Sequence, residues 1–176
     1  IVNNNFDNID NINFNSENKF SFQLNKKFKV DNLKLKSNIL LNSLKYNYNL
    51  PNLKNFLPNF NNIIELNKHV INLELQKNQF SIVGKGTFLI NNDNEFIEYS
   101  LEKKENNYLF KSKIKITDNP ILIKFIDYKK EGKINSEINF EGSINKDQNI
   151  FLKSLSFIEN KNKFFIKDLD LSKNFK

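Results

Sequence analysis

Few side chains in this sequence could do chemistry, and none sits in a pattern that lets it. His69 is the only histidine and there is no Cys. A zinc site needs a second imidazole or a thiolate, so neither a structural nor a catalytic zinc centre can be assembled from these residues. A serine–histidine–acid triad would have to use His69, yet no serine lies in a G-x-S-x-G elbow. A position beside a predicted turn places this histidine at the surface. Gly84-Lys85-Gly86-Thr87 resembles the end of a phosphate loop, but the first glycine of G-x-x-x-x-G-K-[ST] is absent. No helix-patterned segment follows it whose amides could meet a phosphate. Asp168 and Asp170 share a strand face at strict alternation, where acids on a solvent face are the plainer reading than a general acid and base. The run from Asp7 to Asn13 lacks the glycine of a calcium loop. No catalytic residue, metal or cofactor is expected. The chain reads as a binding or conduit module, not an enzyme.

The elements behind these residues are strands. From Gln79 to Leu171 one unit repeats every 12 to 16 residues: alternating apolar and polar residues, then a turn rich in Asn, Asp, Lys and Gly. Turns fall at Lys77-Asn78, Asn91-Asn92-Asp93, Glu105-Asn106-Asn107, Asp118-Asn119-Pro120, Lys130-Glu131-Gly132, Lys146-Asp147-Gln148 and Asn160-Lys161-Asn162. These residues tolerate positive φ or hydrogen-bond their own backbone. The strands between them average about ten residues, roughly 33 Å at strand rise. Short connections make sequence neighbours pair as an antiparallel meander.

The first third is less regular. Residues 1–18 form a polar, Asn-rich segment with room for one strand around Ile9 to Phe14. Residues 19–176 read as a single antiparallel groove domain. Phe20 to Leu24, Phe28 to Val30, Leu33 to Lys36 and Ile39 to Tyr48 are its first strand-like pieces. Pro51 and Pro58 mark a break at 50–60, because proline cannot donate to a ladder. Phe60 to Lys68 carries helical spacing, but β-branched Ile63-Ile64 and frequent Asn favour a strand. Val70 to Leu75 is a further strand.

Period two sorts the side chains onto two faces. One face takes Ile71, Leu73 and Leu75; Phe80, Ile82, Phe88 and Ile90; Ile97, Tyr99 and Leu101; Tyr108, Phe110, Ile114 and Ile116; and Ile134, Ile138 and Phe140. Leu155, Phe157, Phe165, Leu169 and Leu171 continue it. The other face is Lys, Asn, Glu, Asp and Ser. Gly84 and Gly86 point with the apolar set, where a small residue either bends the strand or leaves room for a ligand against the backbone. Residues 121–126 blur the alternation, as a strand covered on both sides or bulged would. A one-sided sheet can be buried by a second sheet, by closure into a barrel, or by curling into an open trough filled by a ligand.

Composition limits the partners. The formal net charge is +7, all of the cations being Lys, since the chain has no Arg. Nucleic-acid surfaces favour Arg for bidentate contacts, and here Lys is spread over many strands, so no nucleic-acid partner is expected. About a fifth of the residues are Asn, and Ala, Trp and Met are absent too. That bias matches AT-rich codons and explains much of the charge. No run approaches the roughly 18 apolar residues of a spanning helix. With no Met, and Ile1 falling in mid-pattern, the chain reads as a fragment whose anchor would lie elsewhere.

Three stretches are similar to the middle region of the AsmA-like bacterial envelope proteins, the YhdP and TamB type. They are Lys68-His69-Val70-Ile71, Phe80-Ser81-Ile82-Val83-Gly84-Lys85-Gly86 and Ile97-Glu98-Tyr99-Ser100-Leu101-Glu102-Lys103. Phe125 to Lys130, Leu155 to Asn162 and Phe165 to Leu171 extend the resemblance to roughly residues 60–172. The alternation gives an all-β fold, a long antiparallel meander for which a β-sandwich is the alternative, and the resemblance implies that the sheet is curled into an open hydrophobic groove. It also implies a periplasmic segment, anchored to the inner membrane from outside this stretch, that moves phospholipid between inner and outer membranes. Its partners would be phospholipid acyl chains and, through other segments, the two membranes, with the protein itself monomeric. The groove lining would be the apolar face above, Gly84 and Gly86 included. The competing reading is a structural or adhesive β-domain with a closed protein core.

Overall fold

The computed structural model describes residues 8–47, 51–77, 79–90, 92–147 and 149–171. Alternating β-branched, aromatic and polar residues build one antiparallel sheet of nine strands. Its strands are β1 (Ile9–Leu24), β2 (Val30–Asn47), β3 (Ile63–Gln76), β4 (Gln79–Ile90), β5 (Asp93–Lys104), β6 (Asn107–Ile116), β9 (Ser136–Ile144), β10 (Ile150–Glu159) and β11 (Asn162–Leu171). Two short strands, β7 (Ile121–Ile123) and β8 (Tyr128–Lys130), pair with each other outside it. The order β1-β2-β3-β4-β5-β6-β9-β10-β11 is a meander with β1 and β11 as its edges, so the sheet does not close. No α-helix occurs among the described residues.

The turn chemistry follows the asparagines. In the loops after β1 and β9, Asn25 Oδ1 accepts the backbone N–H groups of Lys27 and Lys29, and Asn145 Oδ1 accepts those of Asp147 and Asn149. These are the same side-chain turn used twice. Between β10 and β11, Asn160 takes positive φ, a conformation Asn tolerates; Glu105 does so between β5 and β6 without that advantage. The turn residues Asn78, Asn91 and Gln148, and also Tyr48 and Asp7, lie outside the described residues.

The sheet extends further toward the N-terminus than the pattern suggested. Residues 9–24 form one strand where the pattern offered two pieces, Ile9 to Phe14 and Phe20 to Leu24, and β2 joins what read as three. Both belong to the main sheet. Ser16 and Asn18 interrupt the apolar side of β1, which hid its continuity. An edge strand tolerates this because much of it faces water. Phe28 is no strand residue; it takes positive φ in the loop and is 85% exposed.

Three bulges reset the face assignment. Lys68 (φ 53°) inserts a residue into β3 between the pairs Asn67↔Thr87 and Val70↔Lys85. Lys153 is inserted in β10 relative to β9, and Asp168 (φ 53°) lies opposite it in β11. A bulge moves every later side chain to the other face. The residues of β11 before Asp168 thus stand on the opposite parity from Leu169: Phe164, not Phe165, pairs with Phe157 on the apolar face, and Phe165 is 44% exposed on the other. Ile134 is a second correction: it precedes β9 and lies in the connection from β8.

Antiparallel pairing puts both long connections, 51–62 and 117–135, at the same end of the sheet. There they fold onto its apolar face. Leu57, Phe60 and Ile121 from the connections bury against Ile90, Ile116 and Phe157 of the sheet, with Phe88, Ile114, Ile138 and Phe164 packed around them.

Candidate functional site

The apolar face has two halves. At the end carrying the long connections it is sealed: Ile90 and Ile116 are 1% and 2% exposed. The cover is made of the chain itself, the 3-10 turn Pro51–Asn55 with the residues after it and the β7–β8 hairpin. A hydrogen bond from Leu122 N–H to Phe56 O (2.9 Å) ties the two pieces together. Toward the other end Ile71, Leu73, Leu75, Phe80, Ile82, Leu101, Tyr108, Phe110 and Phe140 are only half-buried. Their rings lean on one another: Phe80 and Tyr108 are 6.0 Å apart, and Phe110 meets Phe140 edge-on at 6.1 Å. No second sheet of the described residues packs on them.

A buried polar latch holds the cover down. Glu95 shares the parity of Ile97, Tyr99 and Leu101, so β5 aims its carboxylate at the apolar side, where it is 2% exposed. Its Oε2 accepts the Thr117 N–H at 2.7 Å. Its Oε1 accepts the N–H groups of Asp118 and Asn119, each at 3.0 Å, and Asn119 Nδ2 at 2.9 Å. Lys130, 1% exposed, donates from Nζ to the carbonyls of Thr117 (3.1 Å) and Asn119 (2.7 Å). The loop thus gives its N–H groups to the anion and its C=O groups to the cation. Burial pushes the Lys130 ammonium below its ordinary value, opposed by the negative charges of Glu95 and Asp118. Ser136 Oγ–H donating to Ile116 O (2.8 Å) closes the return into β9.

His69 is a correction. It is fully buried, not at the surface, and its ring fills the space over Gly86. Nε2 lies 2.9 Å from Thr87 O, which can only accept, so Nε2 carries the hydrogen. Nδ1 then accepts the Tyr99 hydroxyl at 3.3 Å. Burial lowers the histidine pKa and raises that of Tyr99, so both groups stay neutral. The Tyr99 ring covers Gly84. The room at both glycines is therefore taken by this chain's own rings. A Cβ at either would collide with them, which is why only glycine fits.

Compared with protein-family models, curated proteins and solved structures, the chain finds no match. Its function must be argued from its own geometry.

The remaining sequence candidates stay apart. Gly84-Lys85-Gly86-Thr87 lies within β4, and Asp168 stands at a bulge. No group of metal-ligating side chains converges among the described residues. Of the predicted lining, Ile97, Phe88, Ile114 and Ile138 stand nearer the sealed end, half-buried, and Ile134 sits in the cover's connection.

Sequence reasoning missed two features. One is Glu95, visible as a charge at an apolar parity. The other is a hollow of about 610 Å³ over the polar face, where Val70 and Val83 form an apolar floor among Lys85, Glu98, Lys111 and Lys113. A second hollow, about 350 Å³, lies on the same side near Leu109, Phe151, Glu141 and Lys153. No pattern of period two signals them.

Proposed function

We propose that this chain is a lipid-handling segment of an envelope protein, with acyl chains lying on the uncovered half of its apolar face. The single observation that supports this reading is the ribbon of half-buried Phe, Ile, Leu and Tyr from β3 to β9 that no described part of the chain covers. An acyl chain laid there gains about 0.8 kcal/mol for each CH₂ taken out of water. The head group would stay at the open end of the sheet, within reach of Lys77 and Lys103. No residue of the site is asked to do covalent chemistry.

In this reading the sealed end is a stop. A lipid enters from the end with the tight turns and halts where the 51–60 segment and the β7–β8 hairpin meet the sheet. Passage beyond requires the latch at Glu95 and Lys130 to release. Transfer between inner and outer membranes, and a periplasmic setting, fit an AsmA-like protein of this shape and belong to the same proposal. Native mass spectrometry of the purified chain after incubation with phosphatidylglycerol vesicles tests it. The expected result is one or more bound phospholipids that Phe110→Asp removes, and no adduct on the folded chain would overturn it.

The sealed end also favours a second reading, a structural β-domain of a large envelope protein. Leu57, Phe60, Ile121 and their partners form a closed protein core that needs no ligand. That reading predicts a chain that binds no lipid and whose stability does not change when lipid is added.

A further inference from the structure

The sheet leaves its two edges in different states. β11, at 10 residues, is shorter than β1, carries Lys163 and Lys167, and has Asp168 at positive φ in a bulge, all features that discourage pairing. β1 has none of them over most of its length. It runs 16 residues, and from Asn11 to Leu24 it contains no proline, one lysine and no bulge of its own; the register shifts opposite this stretch are absorbed by extra residues in β2. Its apolar side chains Ile12, Phe14, Phe20, Phe22 and Leu24 are between 47% and 68% exposed. Phe20 and Phe22 stack in parallel, 6.4 Å apart. A long apolar edge with no further strand of the described residues beside it is a template for another strand.

We propose that the occupant is a second copy of the chain, β1 against β1 in antiparallel register about a two-fold axis at Asn18. In that register most of β1 is complementary to its own reverse, the exception being Phe20, which meets a serine at position 16. Glu17 faces the partner copy's position 19, a lysine, and Lys19 faces a glutamate, so two opposite-charge pairs form by symmetry. Phe14 meets the phenylalanine at 22, and Ile12 meets the leucine at 24. Shifting the axis by one residue in either direction fails: centred on Glu17 it sets that glutamate against itself, and centred on Lys19 it sets lysine against lysine. Directly opposed like charges destabilise a pair, whereas opposite charges and aromatic pairs support it.

A two-fold perpendicular to the sheet keeps both apolar faces on the same side. The two sheets then join into one ribbon with a continuous apolar face. This departs from the monomer expected above, and it does not depend on whether that face carries lipid.

Charge reversal tests the register. In sedimentation equilibrium the chain should be a dimer. Glu17→Lys and Lys19→Glu should each raise the dissociation constant by about tenfold or more, because each turns two attractive pairs into two repulsive ones. Mixing these two variants in equal amounts should restore dimers, since every cross-pair between them is attractive. Asn18→Cys, in a chain that has no other cysteine, should oxidise to a disulfide-linked dimer, while Ser143→Cys on β9 should not. Circular dichroism confirms that each variant retains its sheet. A monomer at 100 µM (roughly the weakest association worth proposing), a dimer indifferent to both reversals, or no recovery on mixing would overturn the proposal.

Discussion

Replacing Glu95 by Gln should lift the cover from the apolar face without dissolving the sheet. The substitution keeps the shape and removes the charge. Gln can still accept at one oxygen, but its amide nitrogen replaces Oε2 and sets a donor against the Thr117 N–H, which now bonds at 2.7 Å. Lys130, 1% exposed, loses the anion that opposes its desolvation. Leaving a buried hydrogen-bonding group without its partner costs about 1–3 kcal/mol, more where a charge is involved, and the loss of a carboxylate that holds four donors argues for the upper end. About 3 kcal/mol is a little over a hundredfold in an opening equilibrium. The assay is amide hydrogen exchange: protection of Thr117, Asp118 and Asn119 should fall by about a hundredfold, while amides in the middle of β4 and β5 change little. Adding Lys130→Met should recover part of the loss, because a neutral pair leaves no uncompensated charge. Unchanged protection at 117–119 in the Gln variant would refute the latch, and so would equal loss across the whole sheet.

Three other outcomes follow from the same geometry. Gly86→Ala places a Cβ inside the His69 ring and should lower stability by about 1–3 kcal/mol in urea unfolding. Ile90→Ala, at the sealed end, should cost about 2–5 kcal/mol by the same measurement, whereas Phe80→Ala, half-buried at the open end, should cost less. Acid should weaken the fold through His69. Its folded pKa is lowered below 6.5, so the unfolded chain takes up a proton first and stability falls as pH drops through about 6.5. His69→Gln should flatten the melting temperature between pH 7 and 5. The loss that remains near pH 4 belongs to carboxylates such as Glu137, whose pKa is lowered chiefly by the hydrogen bond from Lys113.

The strands β4 to β6, and β3 after its bulge at Lys68, were legible because alternation there is strict and the turns are short. Phe80 to Ile90 and Ile97 to Leu101 face as period two requires. Face assignment failed at Phe165 because the backbone inserted a residue at Asp168, and no side-chain pattern announces a non-glycine residue at positive φ. β1 was hidden by Ser16 and Asn18, polar residues that an edge position permits. His69 was misplaced because its neighbouring turn signal outweighed its parity. It alternates with Ile71, Leu73 and Leu75 and so faces inward, and Gly86 and Tyr99 supply the space and the hydrogen bond that make burial possible. The cover was legible only as ambiguity, in the blurred alternation of 121–126 and the two prolines at 51 and 58. What joins those segments to the sheet is tertiary: one glutamate at an apolar parity, binding backbone groups more than twenty residues away.

The central claim is that the uncovered half of the apolar face receives acyl chains. Paramagnetic broadening by a nitroxide-labelled fatty acid, read residue by residue in NMR spectra of the purified chain, tests it most directly. Broadening should concentrate at Phe80, Ile82, Leu101 and Phe110, spare Ile90 and Ile116 under the cover, and spare Val83 and Leu109 on the opposite face. Broadening centred on Val83 and Leu109, or none at either face, would contradict the account.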